Sequence, residues 1–362
     1  MAPNKEMHAG PLMWSEILDQ PETLIRVVES GLDELSQSRS KSPFSARFLS
    51  RVKQAVIIGN GSSYHAACLA RDYFLHLARI PARAAFASDA FRTDHPRPRR
   101  TLALALSHSG SSDDVLKAAS RARRRTLTTA AITNIDESPL SRVVGQCWVT
   151  GAGAEQAIPS TKGFTAIAAA SLLLAFHAGE AKGVSTRGVK EAVKLITKAS
   201  KALDKWLALP ERVRTAAQLL SGAKAIALVG KNILYPVACD GALKLLEVTY
   251  IPAFAYPPEE FRHGPIAMAD ERFALIALTP RRRDTVLERV MEDVKASGAK
   301  VIAVGEKKPR MGDAWIEVPR VDSLATPLVY MPALQLLAHG VGEALGLPID
   351  VPRGLKKVVG AA

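Results

Sequence analysis

The sequence predicts an α/β protein made of two successive units, each a doubly wound, mostly parallel sheet flanked by helices. Short apolar runs of strand length alternate with stretches of helical spacing along most of the chain. Two strand-to-helix junctions in the first half are turns of small residues, Gly59-Asn60-Gly61-Ser62-Ser63 and Ser107-His108-Ser109-Gly110-Ser111-Ser112, and such junctions are where doubly wound sheets hold ligands. The order of elements in the first half returns in the second, as expected of an internal duplication.

Taken in order, residues 1–45 form a helical arm. Trp14, Ile17, Leu18, Leu24, Ile25, Val28, Leu32 and Leu35 recur near helical spacing, and the polar run SQSRSKSPFS closes it. The arm reads as a packing element rather than a site. A first unit over 46–184 opens with a strand at 56–58, the turn GNGSSY and an alanine-rich helix from His65. The turn lacks the third glycine of a dinucleotide fingerprint, and no acidic residue follows at the appropriate strand end, so a dinucleotide is not expected. Further strands are predicted at 84–87, 102–106, 130–133 and 147–149.

The junction after 102–106 is the centre of the reading. Hydroxyls and first-turn N–H groups converge there, where the helix dipole favours an anion. An ordinary N-cap at Ser112-Asp113-Asp114 explains the same residues, and the anion reading requires both aspartates to face outward. A second loop rich in glycine and hydroxyls, 150–162, precedes an apolar helix at 164–176.

A charged helical linker over 185–215 leads to a second unit over 216–350, with strands at 225–229, 274–278, 301–304 and 314–318 and a helix at 238–250. Where the first half has SHSGSS the second has Thr279-Pro280-Arg281-Arg282-Arg283, so one phosphate cradle per chain is expected. Asp240, Lys244 and Glu247 line one side of the helix. A surface salt-bridge stripe is the plain explanation, but Leu243, Leu245, Leu246 and Val248 leave that helix little surface, so some charge must be buried or face a cleft. His263 sits in a turn braced by proline and glycine, PPEEFRHGPIAM, and residues 351–362 are a tail that alone reads as a frayed end.

Composition bounds the function classes. At 362 residues, 48% hydrophobic and 23% charged, the chain has length for two cored domains. No apolar leader opens it and the run 164–176 is short for a bilayer, which predicts a cytoplasmic protein. Three scattered cysteines, Cys68, Cys147 and Cys239, show neither a disulfide framework nor metal-ligand spacing and read as small core residues. The net charge of +13 gathers at 97–100, 121–125 and 281–283. Those clusters lack interleaved aromatics and any nucleic-acid-binding signature, so they read as solvated faces whose field would steer an anionic ligand.

GNGSSYHAA, SHSGSSDD, AIPSTKGFT, GALKLLEVTYIPAFAYPPEEFRHGP and DVPRGLKKV, in that order, resemble the successive signatures of tandem sugar-isomerase (SIS) domain proteins. The nearest kinds are the isomerase half of glutamine–fructose-6-phosphate aminotransferase and the SIS-type glucosamine-6-phosphate deaminases. The resemblance implies two tandem SIS domains, with Ser107, His108, Ser109 and Ser112 on the sugar phosphate, and Ser63, Ser160, Lys356 and the backbone near Ile158 on the sugar. His108 stands where relatives often have Gln, and Ser112 where many have Thr. It implies that Glu247 moves a proton between C1 and C2, that Lys357 engages the ketose carbonyl, and that His263, reaching in from a neighbouring subunit of a homodimer, assists ring opening. Lys244 and Asp240 would support the Glu247 helix. The chemistry needs no metal or redox cofactor, and no membrane or nucleic-acid partner is implied. With no glutaminase segment in view, the expected reaction is conversion of glucosamine 6-phosphate to fructose 6-phosphate and ammonia. Ammonia-dependent synthesis, action on another amino-sugar phosphate, and a non-catalytic sugar-phosphate sensor are the alternatives.

Overall fold

Two five-stranded sheets, every strand pairing parallel, organise the chain in a computed structural model that describes residues 10–37, 42–92, 100–184 and 186–357. Three helices, α1 (Pro11–Leu18), α2 (Gln20–Gln37) and α3 (Ala46–Leu49), precede the first sheet. That sheet comprises β1 (Gln54–Gly59), β2 (Ala82–Phe86), β3 (Thr101–Leu106), β4 (Thr128–Thr133) and β5 (Cys147–Val149) in the order β2-β1-β3-β4-β5. Its connections carry α4 (Ser62–Ala78), α5 (Asp113–Arg124) and α6 (Pro139–Val143). After α7 (Lys162–Ala181), α8 (Gly188–Leu207) and α9 (Arg214–Ser221) comes the second sheet. It contains β6 (Ala225–Val229), β7 (Ala253–Tyr256), β8 (Phe273–Thr279), β9 (Lys300–Gly305) and β10 (Ala314–Glu317), with α10 (Leu234–Thr249), α11 (Pro258–Phe261) and α12 (Thr285–Ala296) between them and α13 (Pro327–Ala344) after them. Its order, β10-β9-β8-β6-β7, is that of the first sheet read from the other edge. The duplication is therefore topological as well as sequential.

The apolar runs became strands because both faces are covered. All six residues of β3 are buried, and β3 pairs with β1 on one side and β4 on the other. Helices α7 and α13 fill the interior. Both have the length and hydropathy to cross a membrane, against the expectation from 164–176 alone, but 83% and 89% of their apolar windows are buried inside the protein. They are the core helices of the two halves. Helix α4 packs on α7, α10 packs on α13, and α4 meets α10 where the halves join.

Several expectations are corrected. Strand β7 was not foreseen: AFAY is short, lies between prolines and is only partly buried at the sheet edge. The segment read as a helical linker is indeed helical at Gly188–Leu207, and it also packs its apolar face on α2 and α7. The three cysteines are half-buried rather than core. Arg121 is not a solvated charge, since its guanidinium donates to the carbonyls of Ala87 (2.7 Å) and Ala90 (3.0 Å). Arg97 and Arg99 of the first basic cluster lie outside the described residues, as does Val358 of the tail motif.

Far-apart segments also meet. The Asp350 carboxylate accepts hydrogen bonds from the backbone N–H of Leu12 (3.0 Å) and Met13 (2.8 Å), so the first turn of α1 is capped from the far end of the chain.

Candidate active site

A cavity of about 350 Å³ opens at the carboxyl end of the first sheet. Five segments line it: the start of α4 with Ser63, the turn after β3 with Ser107, His108, Ser109 and Ser112, the loop before α7 with Ile158 and Ser160, helix α10 with Lys244 and Glu247, and the tail with Lys356 and Lys357. All of these are residues the sequence singled out. Asp240 and His263 do not line it.

The turn after β3 is held open by its own bonds. Ser107 Oγ accepts from the N–H of Gly110 (3.1 Å), and Ser109 Oγ accepts from the N–H of Ser111 (3.3 Å). Gly110 has φ +62°, and a Cβ there would strike Ser138, so glycine is required on both counts. Ser112 is the N-cap residue of α5 by position, yet its side chain caps no backbone N–H. The capping explanation therefore leaves its hydroxyl unused, and that hydroxyl lines the cavity. Asp113 turns away to Lys117, 2.5 Å distant. Asp114 is exposed and lines the cavity, contrary to the expectation that both aspartates face outward.

His108 is largely buried, its side chain 14% exposed. Its ring packs where a side chain on Gly163 would stand, and its Nε2 is 3.8 Å from Glu155 Oε2. Burial pushes its pKa below the ordinary 6.5, with the Glu155 charge opposing and the Lys357 and Lys162 charges reinforcing. A neutral ring at physiological pH offers one donor and no charge.

Glu155, which sequence reasoning passed over, is the hub of the site. Its side chain is 1% exposed. Oε1 accepts from the backbone N–H groups of Thr161 (2.8 Å) and Gly163 (2.9 Å), and Oε2 accepts from Lys357 Nζ (2.8 Å). Burial would raise its pKa, but the charge His108 carries once protonated, the Lys357 charge and hydrogen bond and the Gly163 N–H together hold it at about 2. A carboxylate just ahead of a glycine- and hydroxyl-rich helix start was the available signal, since such a start presents N–H groups for an acid to occupy.

The arm is more than packing, which corrects the earlier expectation. Glu16 accepts from the N–H groups of Gln156 and Ala157, the latter at 3.1 Å, and Asp19 pairs with Lys162 at 2.7 Å and with Arg26 at 2.7 Å. Desolvation works to raise Asp19, but those two cations hold it below its ordinary value. Burial raises Glu16. Two acids of the arm thus fix the loop that carries Glu155.

On α10 the charges are buried, as the leucine pattern required. Lys244 and Asp240 are both 0% exposed, and Lys244 bonds to Glu247 at the cavity wall. Burial works to lower Lys244, but Glu247 and Asp240 raise it overall, so it stays cationic. Asp240 turns the other way, to His65 Nδ1 on α4 at 3.1 Å, tying the two halves together beneath the cavity. The tail is docked rather than frayed. The Asp350 carbonyl accepts from the N–H of Ile158 (2.9 Å), the Arg353 N–H donates to the Tyr250 hydroxyl (2.9 Å), and the Arg353 guanidinium lies 4.2 Å over the Tyr250 ring. His263 stands exposed in the turn after α11.

Two like five-stranded parallel sheets, with a hydroxyl-lined cavity at the carboxyl end of the first, define a tandem doubly wound α/β class of protein. The SIS domain pattern matches residues 48–177 and 219–310, and the chain belongs to the SIS domain family. Glutamine–fructose-6-phosphate aminotransferase of Zymomonas mobilis is 32% identical over 356 residues, covering 96% of this chain and 58% of the relative. That of Legionella pneumophila (strain Paris) is 32% identical over 364 residues, covering 98% and 59%. The chain thus spans about three fifths of the length of these curated relatives. Among solved structures, the C-terminal domain of glucosamine-fructose-6-phosphate aminotransferase from Francisella tularensis superposes with a TM-score of 0.86 at 25% identity, covering 96% of this chain and 99% of that one. Glucosamine-6-phosphate deaminase from Thermotoga maritima shares the fold, with a TM-score of 0.77 at 24% identity over 96% of this chain and 99% of that one.

Proposed function

We propose that this protein is a cytoplasmic, homodimeric amino-sugar-phosphate isomerase/deaminase that converts glucosamine 6-phosphate and water to fructose 6-phosphate and ammonia. One observation carries the reading: the hydroxyls of the turn after β3, the Glu247 carboxylate and the tail lysine line a single cavity. The kinship with the aminotransferases supports the same substrate class. The division into units at 46–184 and 216–350 belongs to this proposal.

In this mechanism Ser107, Ser109, Ser112 and the neutral His108 hold the phosphate, which fixes the sugar far from the reacting carbons. His263 of the second subunit assists ring opening. Glu247 takes the proton from C2 of the open-chain aldehyde and returns it to C1, while O1 gains a proton and the C2 amine gives one up, which leaves a hydroxyl at C1 and an imine at C2. Water hydrolyses the imine to the ketone and releases ammonia. Lys244, bonded to Glu247, keeps the base oriented. Lys357 engages the ketose carbonyl, from a starting position fixed by Glu155.

Ammonia release from glucosamine, galactosamine and fructosamine 6-phosphates, and its uptake in the presence of fructose 6-phosphate, tests the reading. Turnover of the glucosamine ester is the expected result. Tight binding of the panel without turnover in either direction would replace the enzyme with a sugar-phosphate sensor.

A further inference from the structure

The turn after β8 is the topological counterpart of the serine turn after β3, because each follows the central strand of its sheet. It carries no serine cradle. Instead it borders two adjoining cavities, of about 780 Å³ and 250 Å³, which share Arg281 and Arg283.

We propose that these cavities form a second anion site, built from guanidinium and ammonium groups, for a compact, multiply charged phosphate. Some of the surrounding charge is already neutralised. Arg283 pairs with Glu288 at 2.7 Å, and Lys231 pairs with Glu259 and lies 3.7 Å from Asp284. Asp284 is further occupied in capping α12 through the N–H groups of Val286 and Leu287, both at 3.0 Å. What remains on the lining is Arg281, Arg282, Lys307, Lys308 and Arg310, none of which holds an ion pair among the described residues. Cations left unpaired around one concave surface repel one another until an anion enters, and arginine's planar fork suits phosphate oxygens.

One acid on the lining is suited to the same guest. Glu306 lines the larger cavity, and its Oε2 is buried with no hydrogen-bond partner among the described residues. Burial raises its pKa against a backbone hydrogen bond from Val321 and the pull of Arg281, Arg320 and Lys307. In its protonated form that carboxyl donates to a phosphate oxygen instead of repelling it. The ligand is not expected to carry a stacking base. Tyr330, the aromatic residue on the lining, is 1% exposed and its hydroxyl is bound to the Thr279 carbonyl at 2.8 Å.

Pyrophosphate titrated calorimetrically into the full chain is the test, with Ser107→Ala/Ser109→Ala present throughout to disable the first cradle. That variant is expected to keep binding pyrophosphate. Adding Arg281→Ala/Arg310→Ala, or in a separate protein Lys307→Ala/Lys308→Ala, should weaken binding at least about tenfold. Lys198→Ala/Lys201→Ala, which removes the same charge from the exposed side of α8, should change it by less than about twofold. The proposal is overturned if disabling the serine cradle abolishes all binding. It is equally overturned if the α8 pair weakens binding as much as the cavity pairs do, since the general positive field would then be responsible.

Discussion

Lys357 Nζ and Glu155 Oε2, 202 residues apart in sequence, lie 2.8 Å from one another. This pair fastens the tail to the loop before α7, and the loop is fastened in turn to the arm through Glu16. Three segments remote in sequence therefore converge on one buried carboxylate.

Glu155 should make the protein sensitive to acid. Its pKa falls from an ordinary 4.5 to about 2 on folding, so its contribution is fully present above the higher value and is lost as pH falls toward the lower one. The gap is worth on the order of 3 kcal/mol. Urea unfolding of wild type and Glu155→Gln across that window should show the wild type losing stability more steeply. Parallel curves would show that Glu155 is not held ionised by the fold.

Glu247→Gln should lower kcat by about 10² to 10⁴ while leaving KM for the sugar phosphate within a few-fold, because the amide cannot carry the proton yet keeps the Lys244 contact. Undiminished turnover would mean that another group is the base.

The cradle separates affinity from stability. Ser112 caps nothing, so Ser112→Ala should leave Tm unchanged and weaken fructose 6-phosphate binding about tenfold. Ser138 does cap, accepting from the Ser141 N–H, so Ser138→Ala should cost about 1 kcal/mol of stability. Calorimetry and thermal melts on the two variants check the contrast.

His65→Ala removes the one side chain bonded to the buried Asp240 among the described residues. It should destabilise the protein by about 2 kcal/mol, with His65→Gln recovering part of the loss. An unchanged denaturation midpoint for the alanine variant would show that water replaces the imidazole.

Shared sites predict complementation. Glu247→Gln and His263→Ala homodimers should each be nearly inactive, and subunit exchange should restore roughly a quarter of wild-type activity, from one intact site in half of the dimers. No recovery after exchange is verified would place the His263 function within its own chain or nowhere.

How much of this was legible depended on how local the determinant is. The strands around β3 showed in the sequence because burial on both faces demands unbroken apolar runs. The buried charges of α10 showed because the apolar residues beside them left the helix little free surface, although Leu246 itself proves exposed. Strand β7 was missed because an edge strand needs no such run. Glu155, Glu16 and Asp19 were missed because each acquires its role from a partner more than a hundred residues away, or from backbone N–H groups that exist only after the loop has formed. His263 was singled out, but it stands exposed and does not line the cavity of its own chain.

The bond between Asp350 and the first turn of α1 bears on how the molecule is made. A ribosome adds Leu12 338 residues before Asp350, so helix α1 must wait, without this cap, for all of that interval. The tail that seals it also carries Lys357, so the docking that caps α1 also brings that lysine to the cavity wall.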